Sequence, residues 1–229
     1  MVNFAGNLLE HSVYEKQSAT VLGATGLVGR ALIDRLLHDD RYWRVTAVVR
    51  SGTSLPSHHK LHLVYTQFDK NDWFAALQAN HVYCCLGTTI KKAGSKQAFR
   101  WVDYTLVVEA ATVAAHYQAH FLVISALGAD PSSSIFYNRV KGEMEQALLQ
   151  LPLPKLSIFR PSLLSGKRKE FRFGERIALW FAWMLPEAWR SIPSEKVAIA
   201  MEYVAFNQSA RQQVYSSKAM QAIPDLRKK

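Results

Sequence analysis

Cysteine is scarce in this chain of 229 residues, whose only two cysteines are the adjacent Cys84 and Cys85. They lie in an apolar, strand-like run, and neighbouring side chains of a strand point to opposite faces of its sheet. The two thiols therefore provide neither a disulfide framework nor the spacing of a metal site. Disulfide-rich secreted folds are excluded, and a reducing compartment is indicated.

Long apolar runs are also missing, and none is long enough to span a bilayer. The first residues lack the basic-then-apolar pattern of a secretory signal, because Glu10, His11, Glu15 and Lys16 interrupt them. We therefore expect a cytoplasmic protein, with peripheral membrane association as the alternative.

Acidic residues are outnumbered, with 18 Asp and Glu against 28 Lys and Arg and a formal net charge of +10. This balance favours an anionic ligand or surface, such as a phosphate-bearing cofactor, a nucleic acid or an acidic lipid. The sequence contains no recognisable nucleic-acid reader module or aromatic stacking motif, so specific nucleic-acid binding is not expected. Two local basic clusters, read mainly as solvated surface, comprise Lys91, Lys92 and Lys96, and then Lys167, Arg168, Lys169, Arg172 and Arg176.

Clustered metal ligands are likewise lacking. His58 and His59 occupy a polar stretch, and His116 and His120 lie four residues apart near a predicted helix end. Without acidic or cysteine partners nearby, these histidines are expected at the surface or at helix caps. No metal site is predicted.

Three regularly spaced glycines are the most informative feature that is present. Gly23, Gly26 and Gly29 lie between an apolar strand-like run and an amphipathic helix-like run. The first glycine permits a tight turn, the second lets backbone N–H groups approach a pyrophosphate, and the third lets helix and strand pack closely. The sequence therefore predicts a dinucleotide site, and the cofactor contacts expected from this stretch are Gly23, Thr25, Gly26, Leu27, Val28 and Gly29.

Strand and helix signals alternate along the chain from Ser18. Strands are predicted at 18–23, 43–50, 61–66, 81–86, 121–125, 155–160 and about 213–216, and helices at 27–38, 71–78, 95–117, 134–149 and 195–205. This order predicts an α/β fold of the doubly wound Rossmann type, a parallel sheet with helices on both faces. Residues 1–17 form an N-terminal extension and 18–229 one domain, in which the basic, tryptophan-rich segment 162–194 is a small C-terminal substrate lobe.

Three side chains suited to proton transfer converge on one predicted edge of the sheet. Tyr137 and Lys141 are four residues apart on a predicted helix, so they share a face, and a lysine ammonium favours the phenolate of a neighbouring tyrosine. Ser125 ends the preceding strand, where open parallel sheets have their ligand crevice. A Tyr and a Lys at this spacing are, by themselves, also consistent with a side-chain pair on the protein surface that has no catalytic role.

With these residues the chain resembles the atypical short-chain dehydrogenases/reductases, and within them the Tat-interacting-protein-like branch and its bacterial relatives. The motifs are Gly23-Ala24-Thr25-Gly26-Leu27-Val28-Gly29, Cys84-Cys85-Leu86-Gly87-Thr88-Thr89, Ser125-Ala126-Leu127-Gly128-Ala129-Asp130, Tyr137-Asn138-Arg139-Val140-Lys141 and Phe159-Arg160-Pro161-Ser162. The resemblance covers almost the whole chain after Gln17.

The resemblance implies a reductase mechanism. In it Tyr137 donates or removes the proton, Ser125 holds the substrate oxygen, and Lys141 tunes Tyr137 and binds the nicotinamide ribose. Asp103 lies where many relatives carry an asparagine that steadies the lysine through water, and this departure puts the proton relay in question. The alternative is that Asp103 is a carboxylate on a helix surface.

The ends of three predicted strands suggest the remaining cofactor contacts. Arg50 lies near the position where an acidic residue would accept the ribose 2′-hydroxyl of NAD, and an arginine there suits a 2′-phosphate, so NADP(H) is expected rather than NAD(H). Asp69 is a candidate partner for the adenine amine, as in similar proteins, or a neighbour of a helix N-cap. Leu86, Gly87 and Thr88 leave the fourth strand toward the cofactor.

The expected function is NADP(H)-dependent reduction of a carbonyl, or oxidation of an alcohol, on a small and apolar substrate. The alternative is an NADPH-binding regulatory or interaction protein with little or no catalysis. The segment Ile177–Trp189 carries Trp180, Trp183 and Met184 at helical spacing. Three interpretations stay open for it, namely core packing, a lid over the substrate, and a surface for a membrane or a protein partner.

Overall fold

Parallel strands form the centre of the molecule. The computed structural model describes residues 15–52, 54–165 and 191–227. The strands within them are β1 (Gln17–Leu22), β2 (Tyr42–Val49), β3 (Leu61–Tyr65), β4 (His81–Cys84), β5 (His120–Ile124), β6 (Lys155–Arg160), β7 (Leu164–Ser165), β8 (Ile192–Pro193) and β9 (Gln212–Ser216). Seven of these make one parallel sheet in the order β3-β2-β1-β4-β5-β6-β9, and β7 pairs with β8 alone.

Helices connect the strands and cover both faces of the sheet. They are α1 (Leu27–Leu37), α2 (Ile90–Ala93), α3 (Lys96–Arg100), α4 (Leu106–His116), α5 (Phe136–Leu149), α6 (Ser194–Asn207) and α7 (Ser217–Ala222). A 3₁₀ helix spans Asn71–Leu77, and a π-helical turn spans Trp101–Thr105 between α3 and α4.

Two apolar cores result from this layering. On one face α1, α6 and α7 pack on the sheet, and fully buried side chains such as Leu32 and Met201 fill the interface. On the other face α4, α5 and the 3₁₀ helix bury residues such as Leu106, Met144 and Trp73. The central strands are apolar on both faces, which explains their nearly continuous hydrophobic runs.

The strand order reverses between β1 and β4. The chain moves outward from β1 through β2 to β3, then returns to place β4 on the other side of β1, with Leu22 opposite both Val48 and Cys84. Loops that leave these strands at their carboxyl ends therefore diverge to opposite faces and leave a crevice between them. This is where open α/β sheets bind ligands.

We call the edge at which the parallel strands end the carboxyl edge, and the opposite edge, at which they begin, the amino edge. The amino edge contains a buried polar network. Tyr42 Oη lies 2.7 Å from His81 Nδ1 and 2.7 Å from Tyr83 Oη. His120 Nε2 lies 2.7 Å from Ser157 Oγ. The expectation of a surface or capping His120 is wrong, because β5 begins at this residue and His120 pairs with His81 in the sheet interior. His116, at the end of α4, is exposed as expected.

The doubly wound parallel sheet is confirmed, and the departures from the predicted elements are local. The segment 71–78 is a 3₁₀ helix, and the single helix expected over 95–117 is divided by the π turn. Helices α2 and α7 and the β7-β8 pair were not expected. Most of the substrate lobe, the basic cluster Lys167–Arg176 and the stripe Ile177–Trp189 lie outside the described residues.

Candidate functional site

In the glycine-rich turn between β1 and α1, two positions accept only glycine, because a Cβ atom there would collide with the backbone. Gly23 has φ 74°, and a Cβ on it would lie 2.5 Å from the carbonyl oxygen of Cys85. A Cβ on Gly29 would lie 2.2 Å from the carbonyl oxygen of Gly23, so α1 packs directly on the turn. Gly26 precedes α1 and no side chain caps the helix. The N-terminus of α1, where Leu27 and Val28 begin the helix, presents backbone N–H groups to the crevice.

A cavity of about 220 Å³ lies against this turn. Its walls come from the glycine turn, the end of β2, the loop after β4 and the start of α4. The lining residues are Gly23, Thr25, Gly26, Val48, Val49, Arg50, Phe68, Cys85, Leu86, Gly87, Thr88, Trp101, Val102 and Leu106. Polar backbone and one arginine at one end, with aromatic and aliphatic side chains elsewhere, fit the phosphates and the adenosine of a dinucleotide.

The predicted cofactor contacts are distributed unevenly around the cavity. Gly23, Thr25, Gly26, Arg50, Leu86, Gly87 and Thr88 line it. Arg50 is exposed at the end of β2, and its backbone carbonyl accepts a hydrogen bond from Gln67. Asp69 is exposed and is not among the lining residues; Phe68, whose φ is 61°, takes that place. The adenine contact of Asp69 stays a prediction.

The π-helical turn Trp101–Thr105 shapes two parts of the site at once. Trp101 and Val102 line the cavity, while Asp103 is 1% exposed and points into the protein. Its Oδ2 accepts a hydrogen bond of 2.9 Å from the backbone N–H of Thr88. The alternative interpretation of Asp103 as a surface carboxylate is therefore wrong. Single π turns inside helices frequently accompany functional sites.

Ser125 follows β5 at the carboxyl edge of the sheet. The residue is 3% exposed, and its backbone N–H donates to the carbonyl of Phe159. Its Oγ is buried and has no hydrogen-bond partner among the described residues. A buried hydroxyl without a partner costs about 1 to 3 kcal/mol, so a ligand oxygen that bonds to it recovers this free energy.

Lys141 projects from α5 toward the same edge and is 2% exposed. Its Nζ lies 2.8 Å from Asp103 Oδ1 and 3.5 Å from the carbonyl oxygen of Ile124, the residue before Ser125. Burial alone would lower the pKa of Lys141, but the Asp103 carboxylate and then Tyr137 oppose it, and the net effect raises that pKa. The lysine is therefore held as a cation close to Ser125.

Tyr137 lies one helical turn before Lys141 and is partly exposed. Its ring packs against the buried Phe99 of α3, with the ring centroids 5.5 Å apart. The structure therefore brings Ser125, Tyr137 and Lys141 to one edge of the sheet, beyond the lining residues of the cavity. Sequence reasoning missed the cavity contacts of Phe68, Trp101 and Val102, for which no local motif existed.

The neighbouring cysteines have no reactive character. Cys84 is buried, and burial raises the pKa of its thiol to about 12; burial also raises the pKa of Cys85. Within the described ranges no cluster of His, Cys, Asp and Glu is arranged to hold a metal ion. A membrane-spanning helix is likewise not found in the part of the chain that the structure describes.

Comparison with known proteins identifies the family to which this chain belongs. A family described as NAD(P)H-binding matches residues 23–151, which include the glycine turn, the loop after β4 and all of α5. The chain belongs to this family. It is also 36% identical over 202 residues to rat Protein HTATIP2, covering 85% of this chain and 83% of the relative.

Fungal proteins are also similar to this chain. FMP52-1 of Scheffersomyces stipitis is 33% identical over 158 residues, covering 66% of this chain and 69% of the relative. FMP52 of Debaryomyces hansenii is 31% identical over 159 residues, covering 67% and 69%. Both are named as mitochondrial proteins, which contradicts the expected cytoplasmic location. The absence of a secretory signal was too weak a basis for it, because mitochondrial transit peptides are amphipathic rather than long apolar segments.

Solved structures agree on the fold. MoeE5 in complex with UDP-glucose and NAD superimposes with a TM-score of 0.67 at 12% identity, over 86% of this chain and 75% of that one. The Bordetella bronchiseptica enzyme WbmG in complex with NAD gives a TM-score of 0.66 at 14% identity, over 87% and 72%. The fold is therefore the Rossmann-like α/β fold of these proteins.

Proposed function

We propose that this protein is an NADP(H)-dependent oxidoreductase of the short-chain dehydrogenase/reductase type, acting on a carbonyl or alcohol of a small, apolar substrate. One observation carries the proposal. The Ser125 hydroxyl, which has no partner among the described residues, and the buried Lys141 ammonium lie together at the carboxyl edge of the sheet, and residues at the carboxyl ends of β1, β2 and β4 line the cavity at the same edge. Structural residues alone would not need a buried cation and an unpaired hydroxyl at this edge.

The residues that would hold the cofactor fit it. The glycine turn leaves no room for a Cβ at Gly23 or Gly29, and the start of α1 supplies backbone donors for the pyrophosphate. Arg50 lines the cavity at the end of β2 and would meet a 2′-phosphate there, which supports NADP(H) over NAD(H). Lys141 would bind the nicotinamide ribose. When bound, the reduced cofactor supplies the hydride and its two electrons to the carbonyl carbon.

The chain's own residues handle the proton. Ser125 Oγ donates a hydrogen bond to the carbonyl oxygen and holds it close to Tyr137. Tyr137 gives its phenolic proton to that oxygen as the alcohol forms, and takes a proton back from solvent afterwards. The Lys141 ammonium stabilises the negative charge left on Tyr137. In the oxidation direction each proton step runs in reverse.

The test is a screen of aldehydes, ketones and quinones for NADPH oxidation, followed by Tyr137→Phe on any substrate found. We expect turnover to fall by about 10²- to 10⁴-fold, because the variant has no proton to donate, while NADPH affinity stays within about twofold. A matched control is Tyr104→Phe, since Tyr104 lies on the π turn and stacks beneath Arg100. Normal turnover by Tyr137→Phe contradicts the proposed acid.

A binding-only protein is the other candidate, and the same screen separates the two. Such a protein would bind NADPH and turn over none of the carbonyl classes tested. The unpartnered Ser125 hydroxyl favours the enzyme, because cofactor binding at the glycine turn does not require that group.

A further inference from the structure

We propose that Asp103 is a positioning residue that holds the Lys141 ammonium beside Tyr137 and thereby sets this site for carbonyl reduction. This inference rests on the proposed function. It concerns a carboxylate that the reductase mechanism described above does not use. Its basis is a buried ion pair between Asp103 and Lys141, with 2.8 Å between Oδ1 and Nζ and both side chains at most 3% exposed.

The charges around Lys141 come from three elements. Asp103 approaches from the π turn, Cys84 from β4, and Tyr137 from the lysine's own helix α5. Glu145, one turn further along α5, is paired with Arg160 and is not a partner of the lysine. Cys84 stays a thiol, because burial raises its pKa to about 12. Asp103 is therefore the charged carboxylate that faces the pair.

A carboxylate at this distance favours the ammonium form of the lysine, because a nearby negative charge opposes the loss of its proton. Asp103 therefore raises the pH at which Lys141 loses its proton. Carbonyl reduction needs the ammonium, because it stabilises the negative charge that remains on Tyr137 after that residue has given up its proton.

The second contact of Asp103 fixes where this charge lies. Oδ2 accepts the backbone N–H of Thr88, and Thr88 and Gly87 line the cofactor cavity. One carboxylate thus joins the loop that borders the cofactor to the lysine of the proton-transfer pair. The π turn makes this possible, because it directs Asp103 inward while Trp101 and Val102 line the cavity.

The experiment follows the lysine directly in the full chain without substrate. Protein labelled with ¹³C at lysine Cε is titrated by NMR, and Lys141→Arg assigns the signal of this lysine. In Asp103→Asn, whose amide oxygen still accepts from Thr88, we expect the first inflection of the Lys141 signal to fall by about one to three pH units. Asp39→Asn is the matched control, because it removes a buried carboxylate that pairs with Arg41 at the amino edge.

An unchanged or raised first inflection in Asp103→Asn overturns the proposal. Asp103→Ser serves if the first variant does not fold, as judged by near-UV circular dichroism. The unmodified protein gives a further check, since loss of the Lys141 proton below about pH 9 would contradict the account, whereas an ordinary lysine loses its proton near 10.4. Because the titration uses no substrate, its result does not depend on turnover. Absence of turnover in the substrate screen would refute the proposed function without deciding the role of Asp103.

Discussion

Both edges of the central sheet bury polar side chains, but the two edges differ in the hydrogen-bond partners that these side chains have. At the amino edge Tyr42, His81, Tyr83 and His120 are buried and hydrogen-bonded to one another or to Ser157. At the carboxyl edge, the buried Ser125 hydroxyl has no partner among the described residues, and the buried Lys141 ammonium pairs with the Asp103 carboxylate. Polar groups at the amino edge, apart from His120 Nδ1, bond to one another and so help to specify the fold, whereas the Ser125 hydroxyl is available to a ligand.

We expect substitutions at the two edges to affect different properties of the protein. A substitution at the amino edge should change the free energy of unfolding and leave cofactor affinity unchanged. A substitution at the carboxyl edge should change cofactor affinity or turnover and leave the free energy of unfolding nearly unchanged. Three experiments test this division, beginning with the largest effect.

Acid should lower the free energy of unfolding through the buried histidines of the amino edge. Burial lowers the pKa of His81 to about 3 and that of His120 to about 4, so both are neutral in the folded protein. In the unfolded chain they titrate near 6.5, so their stabilisation is present above that pH and is lost as the pH falls. Each histidine changes the free energy of unfolding by up to about 1.4 kcal/mol per pH unit, or roughly 3 kcal/mol for both between pH 6.5 and 5.

Urea unfolding at pH 7, 6 and 5 measures this dependence. His120→Asn should remove about half of the slope, whereas the exposed His116→Asn, four residues earlier, should leave it unchanged. A free energy of unfolding that is constant over this range would contradict the description of the amino edge.

Two buried serines give the sharpest matched pair. Ser157 Oγ donates to Gln208 and is bonded to His120, so Ser157→Ala should cost about 1 to 3 kcal/mol of stability with no change in NADPH affinity. Ser125→Ala removes an unpaired hydroxyl, so stability should be unchanged or slightly higher while turnover falls. Thermal unfolding and NADPH titration of both variants decide the matter. Equal losses of stability in the two would remove the distinction between the edges.

Cofactor preference should depend on only one end of β2. Arg50→Asp should abolish or reverse the preference for NADPH over NADH, a change of about 5- to 150-fold for a lost contact of about 1 to 3 kcal/mol. Arg44→Asp makes the same charge change near the other end of this strand and should have little effect, because Arg44 is exposed near the amino edge. Fluorescence titration with both cofactors measures the ratio. Equal affinities in the unmodified protein refute the role of Arg50.

Much of the carboxyl edge was predictable because its residues follow local rules. Glycine spacing locates the turn, a strand end locates Ser125, and the four-residue spacing of Tyr137 and Lys141 places them on one helical face. Asp103 was not predictable to the same degree. A regular helix over 95–117 gives no reason to bury it, and its direction depends on the π turn.

The amino edge could not be predicted at all from local pattern. His81 and His120 are far apart in the sequence and become neighbours only through the pairing of β4 with β5. Each histidine resembles a surface residue until that pairing is known. Likewise, no local motif indicates that Phe68 and Trp101 line the cavity, because the fold brings them there from separate segments.

Hydrogen–deuterium exchange of the full chain with and without NADPH tests most directly whether the carboxyl edge is the ligand site. The account predicts slower exchange in peptides that cover 23–29, 50–52 and 86–88, with little change in those covering 39–44 and 118–121. Protection confined to the amino edge, or no protection at a saturating NADPH concentration, would contradict it.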